Sequence, residues 1–344
     1  MSDSAMARRM WLFIGRRLLF LIPQLIGISL VSFFLVRLLP GNPAYAIAGQ
    51  LATQDQIEAI ERRMALDKPM PVQYLAYVSE VLHGDFGVSW RTSNPVLVDI
   101  KQRLPATIQL ITIALIVIAL LGILFGVLVA VNPGGIASRF MFLYGLLAGA
   151  MPDFWLGLLL IFLFYYKLNW APPPVGQFGL DVFPPPPVTG MSLVDSLLAH
   201  DGDAFWSAAK HLVLPELTLI LIYIGGVVRM TSTAMSEMLD SGFIRYAKAN
   251  GLPNGVVVRY ALRNALPPVV TVLGIIYGFL LGGAVLVETV FAWGGIGQYA
   301  VQSIVNSDYL AIQGFVLVAA VFTLFVYLVI DIVYFFLDPR AGLH

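Results

Sequence analysis

"SGFIRYAKANGLPNGVVVRYALRNALPPVV", residues 241–270, is a basic segment between two long apolar stretches. Counted together with Arg229, it carries five cations, and no acid follows Asp240 within it. Ser241 is a favoured residue at the start of a helix and Gly251 at the end, so we predict a helix of about nine residues. A helix this short is marginal alone in water, so its apolar side chains need a cover.

The apolar patch of this short helix consists of Phe243, Ile244 and Ala247, and Arg245 and Lys248 flank it. Two kinds of surface could bury this apolar patch. The helix can lie on anionic lipid with its cations facing phosphate groups. Alternatively, it can insert into a groove on a soluble partner. The residues alone leave both interpretations open.

The composition of the whole chain excludes an ordinary soluble domain. Of 344 residues, 59% are hydrophobic and only 12% are charged, against about 25% charged in soluble proteins. Most of the apolar stretches match the roughly 20 residues that a membrane-spanning helix needs. They are residues 18–36, 104–138, 140–166, 212–228, 264–287 and 309–330. The sequence therefore predicts an all-α integral membrane protein with six transmembrane helices.

Six spans place both termini on one side of the membrane. Eleven cations fall on that side against four acids; the cations are Arg8, Arg9, Arg16, Arg17, Arg139, Arg229, Arg245, Lys248, Arg259, Arg263 and Arg340, and the acids are Asp3, Glu237, Asp240 and Asp338. By the positive-inside rule this side is the cytoplasm. The first apolar run has 19 uncharged residues, longer than the 7–15 of a signal peptide core, so we predict an uncleaved anchor.

These spans define the predicted organisation of the chain. It comprises a cytoplasmic N-terminus (1–17), a first span (18–39), an extracytoplasmic helical cap (40–103), a five-helix core (104–338) and a cytoplasmic C-terminus (339–344). Within the core we predict a Pro-rich outer loop at about 167–206 and the cytoplasmic loop at about 231–265.

The two outer segments have different patterns. In the cap, helices are predicted at about 54–65 and from Pro71 to Gly84; the cap is either a lid or a docking surface. The Pro-rich loop cannot satisfy its backbone in lipid, so it lies in water or on protein. A stiff spacer is favoured over a recognition element for its proline runs.

The motifs of catalysis are missing. The chain has no cysteine, which excludes disulfides, thiol catalysis and thiolate metal sites, and its four histidines are scattered. The zinc-protease, nucleophile-elbow and phosphate-loop motifs do not occur. We therefore expect no catalytic residue, no metal site and no nucleotide site in this chain. If ATP is used, a partner supplies its site.

Ionisable residues within spans are functional candidates because burying them in lipid is costly. Asp153 lies inside the third apolar stretch, directly after Pro152, and either faces a wet pathway or pairs with a neighbouring helix. Glu216, Glu288 and Asp331 lie near span ends, where pairing or capping is favoured.

The segment "ETVFAWGGIGQ" (288–298) is a candidate outer gate. Its glycines permit a turn, and the Glu288 carboxylate can accept hydrogen bonds from the N–H groups of that turn. A purely structural turn fits the sequence equally well. The candidate pathway or gate residues are Asp153, Glu288, Trp293, Gly294 and Gly295.

Residues 245–251 together with "ALRNALPPVVTVLG" (261–274) resemble the cytoplasmic EAA loop of ABC-importer permeases, in the form used by dipeptide and oligopeptide transporters. The resemblance covers nearly the whole chain; further similar stretches are 16–43, 66–90, 152–157, 288–298 and 331–340. The general pattern begins with Glu, whereas this chain has Arg245 and Tyr246 there and keeps only Ala247 and Gly251. The residue that makes the polar partner contact is therefore not identified.

This resemblance implies a type I ABC-importer permease in the bacterial cytoplasmic (inner) membrane, which imports dipeptides or oligopeptides by alternating access. The implied partners are a second homologous permease, two ATP-binding subunits that hold ATP and Mg, and an extracytoplasmic peptide-binding protein; no nucleic acid is expected. The implied coupling residues are Phe243, Ile244, Arg245, Ala247, Lys248 and Gly251. The alternative is a transporter driven by an ion gradient. Such a transporter is expected to have several paired acids near the membrane midplane, whereas only Asp153 is well placed in this sequence. Dipeptides, longer peptides, glutathione-like thiols and metal chelates all remain possible cargoes.

Overall fold

The computed structural model describes residues 3–38, 43–48, 52–148 and 151–337. Over these ranges the regular structure is helical, apart from one isolated antiparallel bridge between Val88 and Pro95. The predicted all-α class is therefore confirmed. The chain divides into two compact units. The first unit comprises Met1–Thr107 and Gly294–Phe325, and the second comprises Ile108–Trp293 and Val326–His344.

The helices of the described residues are α1 (Asp3–Arg37), α2 (Pro43–Ala48), α3 (Gln54–Arg63), α4 (Met70–Leu82), α5 (Val96–Val131), α6 (Ile136–Ala148), α7 (Asp153–Leu160), α8 (Ser192–Leu198), α9 (Gly202–Leu239), α10 (Gly242–Ala249), α11 (Asn254–Val290), α12 (Ile296–Val305) and α13 (Tyr309–Leu337). A π-helical segment, Ile161–Lys167, continues α7. Asn132 and Gly135 close the tight turn between α5 and α6 with a backbone hydrogen bond.

Among the described residues, five helices are long and apolar enough to cross a membrane. They are Gly15–Arg37, Val96–Val131, Gly202–Leu239, Asn254–Val290 and Tyr309–Ile332. The remaining predicted span, 140–166, is divided between α6, α7 and the π-helical segment, because Pro152 takes the N-cap position of a new helix. The six-span count thus stays a prediction. The predicted tail 339–344, Asp338 and the side chains of Asp3, Arg8 and Arg9 lie outside the described residues.

The first unit contains the two cap helices that the sequence predicts. A capping box between Thr53 and Gln56 begins α3, and Gly84, with a φ of +77°, follows the end of α4. The buried residues of α4 are Gln73 and Tyr77. Tyr77 packs against Phe33 of α1 and donates a hydrogen bond to the Ser32 hydroxyl at 3.0 Å, which fixes the inward face of α4.

In the second unit, α5 and α9 approach closely at two glycines. Cβ atoms built at Gly122 and Gly126 would come closer than 3.0 Å to the side chains of Val227 and Thr231. Small residues at such positions let two helix backbones pack closely where lipid provides no hydrophobic drive. This contact joins α5 and α9, two of the long helices whose ends pack against the short basic helix.

The Pro-rich loop folds onto the second unit and is shorter than predicted. It contains α8, and α9 already begins at Gly202, where Asp201 accepts a hydrogen bond from the Ala204 N–H. Asp195 of α8 accepts hydrogen bonds from the backbone N–H and hydroxyl of Thr189. Burial alone would raise the pKa of Asp195, but these hydrogen bonds hold it below its usual value.

Candidate coupling and pathway sites

The short basic helix α10 is anchored by one residue. Ile244 is 0% exposed and lies in an apolar cluster built from the ends of α5, α9 and α11. The other buried members of this cluster are Ala130, Ala234, Met235, Val257, Ala261 and Ala265. Burying such a side chain contributes about 1.5–3 kcal/mol, so the cluster holds α10 to three long helices at once.

This placement corrects the predicted contact face of α10. Ile244 was expected to touch a partner, but it is enclosed by its own chain because it faces the helix ends of the cluster. The outward face instead presents Phe243, 48% exposed, and Tyr246, 72% exposed. Ala247 is half-buried. The sequence reasoning did not single out Tyr246, although its spacing of three residues from Phe243 places both on one helical face.

The two ends of α10 are set by local backbone geometry. Ser241 occupies the N-cap position, but its hydroxyl donates to the Met238 carbonyl instead of accepting from the first turn of α10. Gly251, predicted to end this helix, has a φ of +77°, the left-handed conformation that favours glycine after a helix. A Cβ at Gly251 would meet no atom within 4 Å, so only the backbone conformation demands glycine there.

The surface around α10 is cationic. Arg245, Lys248, Arg259 and Arg263 are exposed. Within the described ranges, no carboxylate forms an ion pair with any of these four. The surface therefore presents unpaired positive charge beside the two exposed aromatic rings of α10.

Asp153 contacts a neighbouring helix. It is half-buried in the first turn of α7, where the helix dipole favours a negative charge. The hydroxyl of Tyr223 on α9 donates to Asp153 Oδ2 at 3.2 Å and lies 3.4 Å from the Phe279 carbonyl on α11. Of the two alternatives for Asp153, pairing with a neighbouring helix therefore has an identified partner, Tyr223. Tyr223 was missed by the sequence reasoning, although a tyrosine inside an apolar helix already signals a hydroxyl that needs a partner.

Gly283 of α11 completes this three-helix contact. A Cβ there would lie closer than 3.0 Å to both Asp153 Oδ2 and the Tyr223 hydroxyl. The adjacent Gly282 has no atom within 4 Å of such a position. Only Gly283 is therefore required for the close approach of α11 to the Asp153–Tyr223 pair.

The residues of the candidate gate lie mostly inside the protein. Glu288 is 0% exposed and Trp293 is 1% exposed. The Trp293 N–H donates to the backbone carbonyl of Glu288, and the Gly294 N–H donates to Gln298. Two turn N–H groups therefore have acceptors other than the Glu288 carboxylate. The Trp293 carbonyl accepts from Gln177 of the Pro-rich loop at 3.1 Å.

The glycines of this segment differ in conformation. Gly294 has a φ of +83°, whereas Gly295 is extended with a φ of −81° and a ψ of −175°. Only Gly294 thus needs the left-handed region. The turn between α11 and α12 therefore depends on one glycine rather than on the whole run.

Glu216 departs from the pairing expected of it. Its side chain in α9 is only 7% exposed, and within the described part of the chain neither carboxylate oxygen has a hydrogen-bond partner.

Over the described residues, no group of three or more His, Cys, Asp or Glu side chains is arranged to hold a metal ion.

The comparisons with known proteins cover nearly the whole chain. Residues 122–342 match the family described as "Binding-protein-dependent transport system inner membrane component", and residues 10–111 match its N-terminal companion. The probable D,D-dipeptide transport system permease protein of Escherichia coli K12 is 41% identical over 335 residues, which are 96% of this chain and 98% of that protein.

Two further relatives have similar coverage. The dipeptide transport system permease of Alkalihalophilus pseudofirmus is 39% identical, over 94% of this chain and 97% of its own. The di/tripeptide transport system permease of Pseudomonas aeruginosa is 39% identical, over 95% and 98%. These matches confirm the resemblance found in the sequence and identify an inner-membrane transport subunit rather than an enzyme. The chain belongs to the family of binding-protein-dependent transport system inner membrane components.

Proposed function

We propose that this chain forms half of the translocation pathway of an ATP-driven importer for dipeptides or other short peptides, and that it works by alternating access. The names of its relatives support a peptide cargo. The observation that carries the proposal is the construction of α10. Ile244 fixes this helix to the ends of α5, α9 and α11, while Phe243 and Tyr246 face outward. A partner that holds the outer face can therefore displace three long helices.

The proposed partners are those that the family implies. One ATP-binding subunit contacts α10 of this chain, a second contacts the homologous permease that completes the pathway, and an extracytoplasmic binding protein delivers the peptide. The chain contains no phosphate-loop motif, so ATP and Mg²⁺ belong to the ATP-binding subunits. Arg245 and Lys248 offer charge to an acidic rim on those subunits. Ala247 and Gly251 contribute through small size and backbone geometry.

The proposed sidedness places the cap (40–103) and the Pro-rich loop outside, and residues 231–265 in the cytoplasm. In this arrangement Asp153 borders the pathway. Tyr223 occupies one of its carboxylate oxygens, which leaves the other for the ammonium group of a peptide. Since Glu288 and Trp293 are buried, we expect the 288–295 segment to act as a gate by moving as one body rather than by binding peptide.

Tyr246→Asp tests the proposal, with Tyr45→Asp as the matched control because Tyr45 is also exposed, at 54%, on α2. Each variant would be co-expressed with the second permease and the ATP-binding subunits. We expect Tyr246→Asp to insert normally but to recover much less ATP-binding subunit and to lose ATP-dependent dipeptide uptake in proteoliposomes, whereas the control retains both. Absence of dipeptide uptake by the complete wild-type importer would overturn the proposed cargo.

Ala247→Trp separates the partner-bound helix from the lipid-bound helix. A bulky side chain would hold α10 away from a groove on a partner, whereas an interfacial helix accepts tryptophan readily. Weakened association with the ATP-binding subunits supports coupling. Unchanged association and uptake would show that α10 rests on lipid.

A further inference from the structure

The first unit contains a half-open cavity of about 370 Å³ that the coupling function does not use. Its walls come from the end of α1, from α2, α3 and α4, from the segment after α4 and from the start of α13. Small-molecule sites in proteins have volumes of about 300–1,000 Å³. The cavity therefore has room for a ligand at the small end of this range.

The cavity wall is partly apolar. Ile60 of α3, Phe86 and Trp90 of the segment after α4, and Leu310 of α13 line it. Trp90 is 43% exposed, so part of its indole ring is available to a ligand. An apolar wall with a few polar groups is typical of sites that bind an organic molecule rather than an ion.

The charged residues of the wall are unequally paired. Arg63 bonds to both acids, with its Nε 3.1 Å from Glu80 Oε1 and its Nη2 2.7 Å from Asp85 Oδ2. The second guanidinium, Arg37, lies 3.8 Å from the centre of the Phe33 ring. The wall thus contains two carboxylates, Glu80 and Asp85, that both pair with Arg63. It also contains a second arginine, Arg37, that forms an ion pair with neither.

Arg37 has neutral partners in the structure. Its Nε donates to Gln73 Oε1 at 3.0 Å, and its Nη2 donates to the Met64 carbonyl at 3.5 Å. Among the ion pairs of the described residues, none includes Arg37. Glu80 interacts with Arg37 electrostatically but forms no ion pair with it. A half-buried guanidinium that faces a cavity in this way is suited to an anionic group of a ligand, because a planar guanidinium can bind a carboxylate through two hydrogen bonds.

We propose that this cavity binds a small zwitterion of amino-acid or dipeptide size. The ligand carboxylate faces Arg37, its ammonium group faces Glu80 and Asp85, and its apolar side chain packs against Trp90 and Leu310. Both charges of the ligand are needed, since a charge buried without a partner is costly. The inference rests on the proposed function only in the choice of a dipeptide as probe.

The test uses the complete transporter in phosphatidylcholine nanodiscs, without nucleotide or binding protein. Glycyl-leucine, which does not fluoresce in the tryptophan range, would be titrated while tryptophan emission is recorded. We expect a saturable change that is lost in Trp90→Phe, because Trp90 alone lines the cavity among the tryptophans whose side chains the structure describes. Arg37→Gln should weaken binding by about tenfold or more, in line with the loss of a charge-assisted bond.

The matched control is Arg62→Gln, which removes one positive charge from α3 at an exposed residue outside the cavity wall; its binding should equal that of the wild type. Glu80→Gln tests the ammonium side and supplies a second variant if Arg37→Gln does not fold. N-acetyl-glycyl-leucine amide, which carries no charge, should not bind. Equal binding of the blocked and free dipeptides, or unchanged binding in both Arg37→Gln and Glu80→Gln, would overturn the proposal.

A lipid headgroup is the competing occupant, because Arg37 is the last residue of a membrane-spanning helix. If nanodiscs of phosphatidylglycerol abolish dipeptide binding and produce the Trp90 signal alone, the cavity is a lipid site and the zwitterion proposal is wrong. Uptake does not enter this assay. Failed uptake with retained binding would remove the proposed transport function and leave the cavity site intact.

Discussion

Replacing Gly283 by alanine should break the contact between Asp153 and Tyr223. The new Cβ would lie closer than 3.0 Å to Asp153 Oδ2 and to the Tyr223 hydroxyl. Both atoms are the ends of side chains, so we expect the side chains to move apart while the helix backbones stay in place. Losing a hydrogen bond to a charged group costs about 1.5–3 kcal/mol. Alanine offsets part of this, since glycine is about 0.5–1 kcal/mol less stable than alanine within a helix.

Gly282→Ala is the matched control for this change. It has the same helix preference, lies next to Gly283 on α11 and introduces a Cβ with no atom within 4 Å. The difference between the two variants therefore isolates the contact and should be about 1.5–3 kcal/mol. In thermal unfolding of the full chain in detergent, we expect Gly282→Ala to match or exceed the wild type and Gly283→Ala to unfold at a lower temperature.

A third variant makes the reasoning refutable. In the Tyr223→Phe background the hydroxyl is absent, so Gly283→Ala should cause much less additional loss than it does alone, as the interaction term of a double-mutant cycle reports. If Gly283→Ala and Gly282→Ala shift the unfolding temperature equally, or if the cycle shows no interaction, the close approach of α11 to this pair is not present.

Three further predictions concern the backbone, the topology and pH. Gly251→Val should reduce recovery of the ATP-binding subunits more than Gly251→Asn, because a φ of +77° costs most side chains about 1–2 kcal/mol and asparagine less; equal recovery would show that the conformation is unimportant. Cysteines at Val188 and Asn254, both exposed, should react with an impermeant reagent from outside and from the cytoplasm respectively. If both cysteines react from the same side, the six-span arrangement is contradicted. Since the pKa of Asp195 is lowered in the folded chain, its stabilisation should be present at neutral pH and be lost as pH falls below about 4; Asp195→Asn should remove this step in an acid titration of stability, and an unchanged titration would contradict it.

The ends of α10 could be predicted because Gly251 acts through a local backbone preference and Ser241 does occupy the N-cap position, although its hydroxyl bonds to Met238 instead of capping α10. The inward face could not. With apolar or aromatic residues at 243, 244, 246 and 247, an eight-residue helix has no single apolar stripe. Only the positions of the neighbouring helix ends decide that Ile244 is covered and Tyr246 is exposed.

Contacts between distant residues were beyond sequence reasoning. Asp153 was identified as a candidate because a carboxylate in an apolar stretch is costly, but Tyr223 lies 70 residues away along the chain, and a single sequence contains no signal that pairs them. The cavity near Arg37 illustrates the same limit, since its wall combines cap residues with Leu310 of α13. By contrast, Gly84 and Thr53 act locally, and the cap helices that they delimit were predicted.

The coupling cluster and the Asp153 contact lie on the same two helices, α9 and α11. Along α9, Met235 of the cluster and Tyr223 are about 18 Å apart, at 1.5 Å per residue. Gly225 and Gly226 lie between them, and glycine pairs are sites where helices bend. A Cβ at either glycine would make only ordinary contacts, at 3.6 and 3.7 Å, so replacing both by alanine should stiffen α9 without a clash. If displacement of α10 reaches Asp153 through bending at this point, the double variant should unfold at a higher temperature and yet import more slowly; unchanged uptake would show that α9 transmits the displacement as a rigid rod.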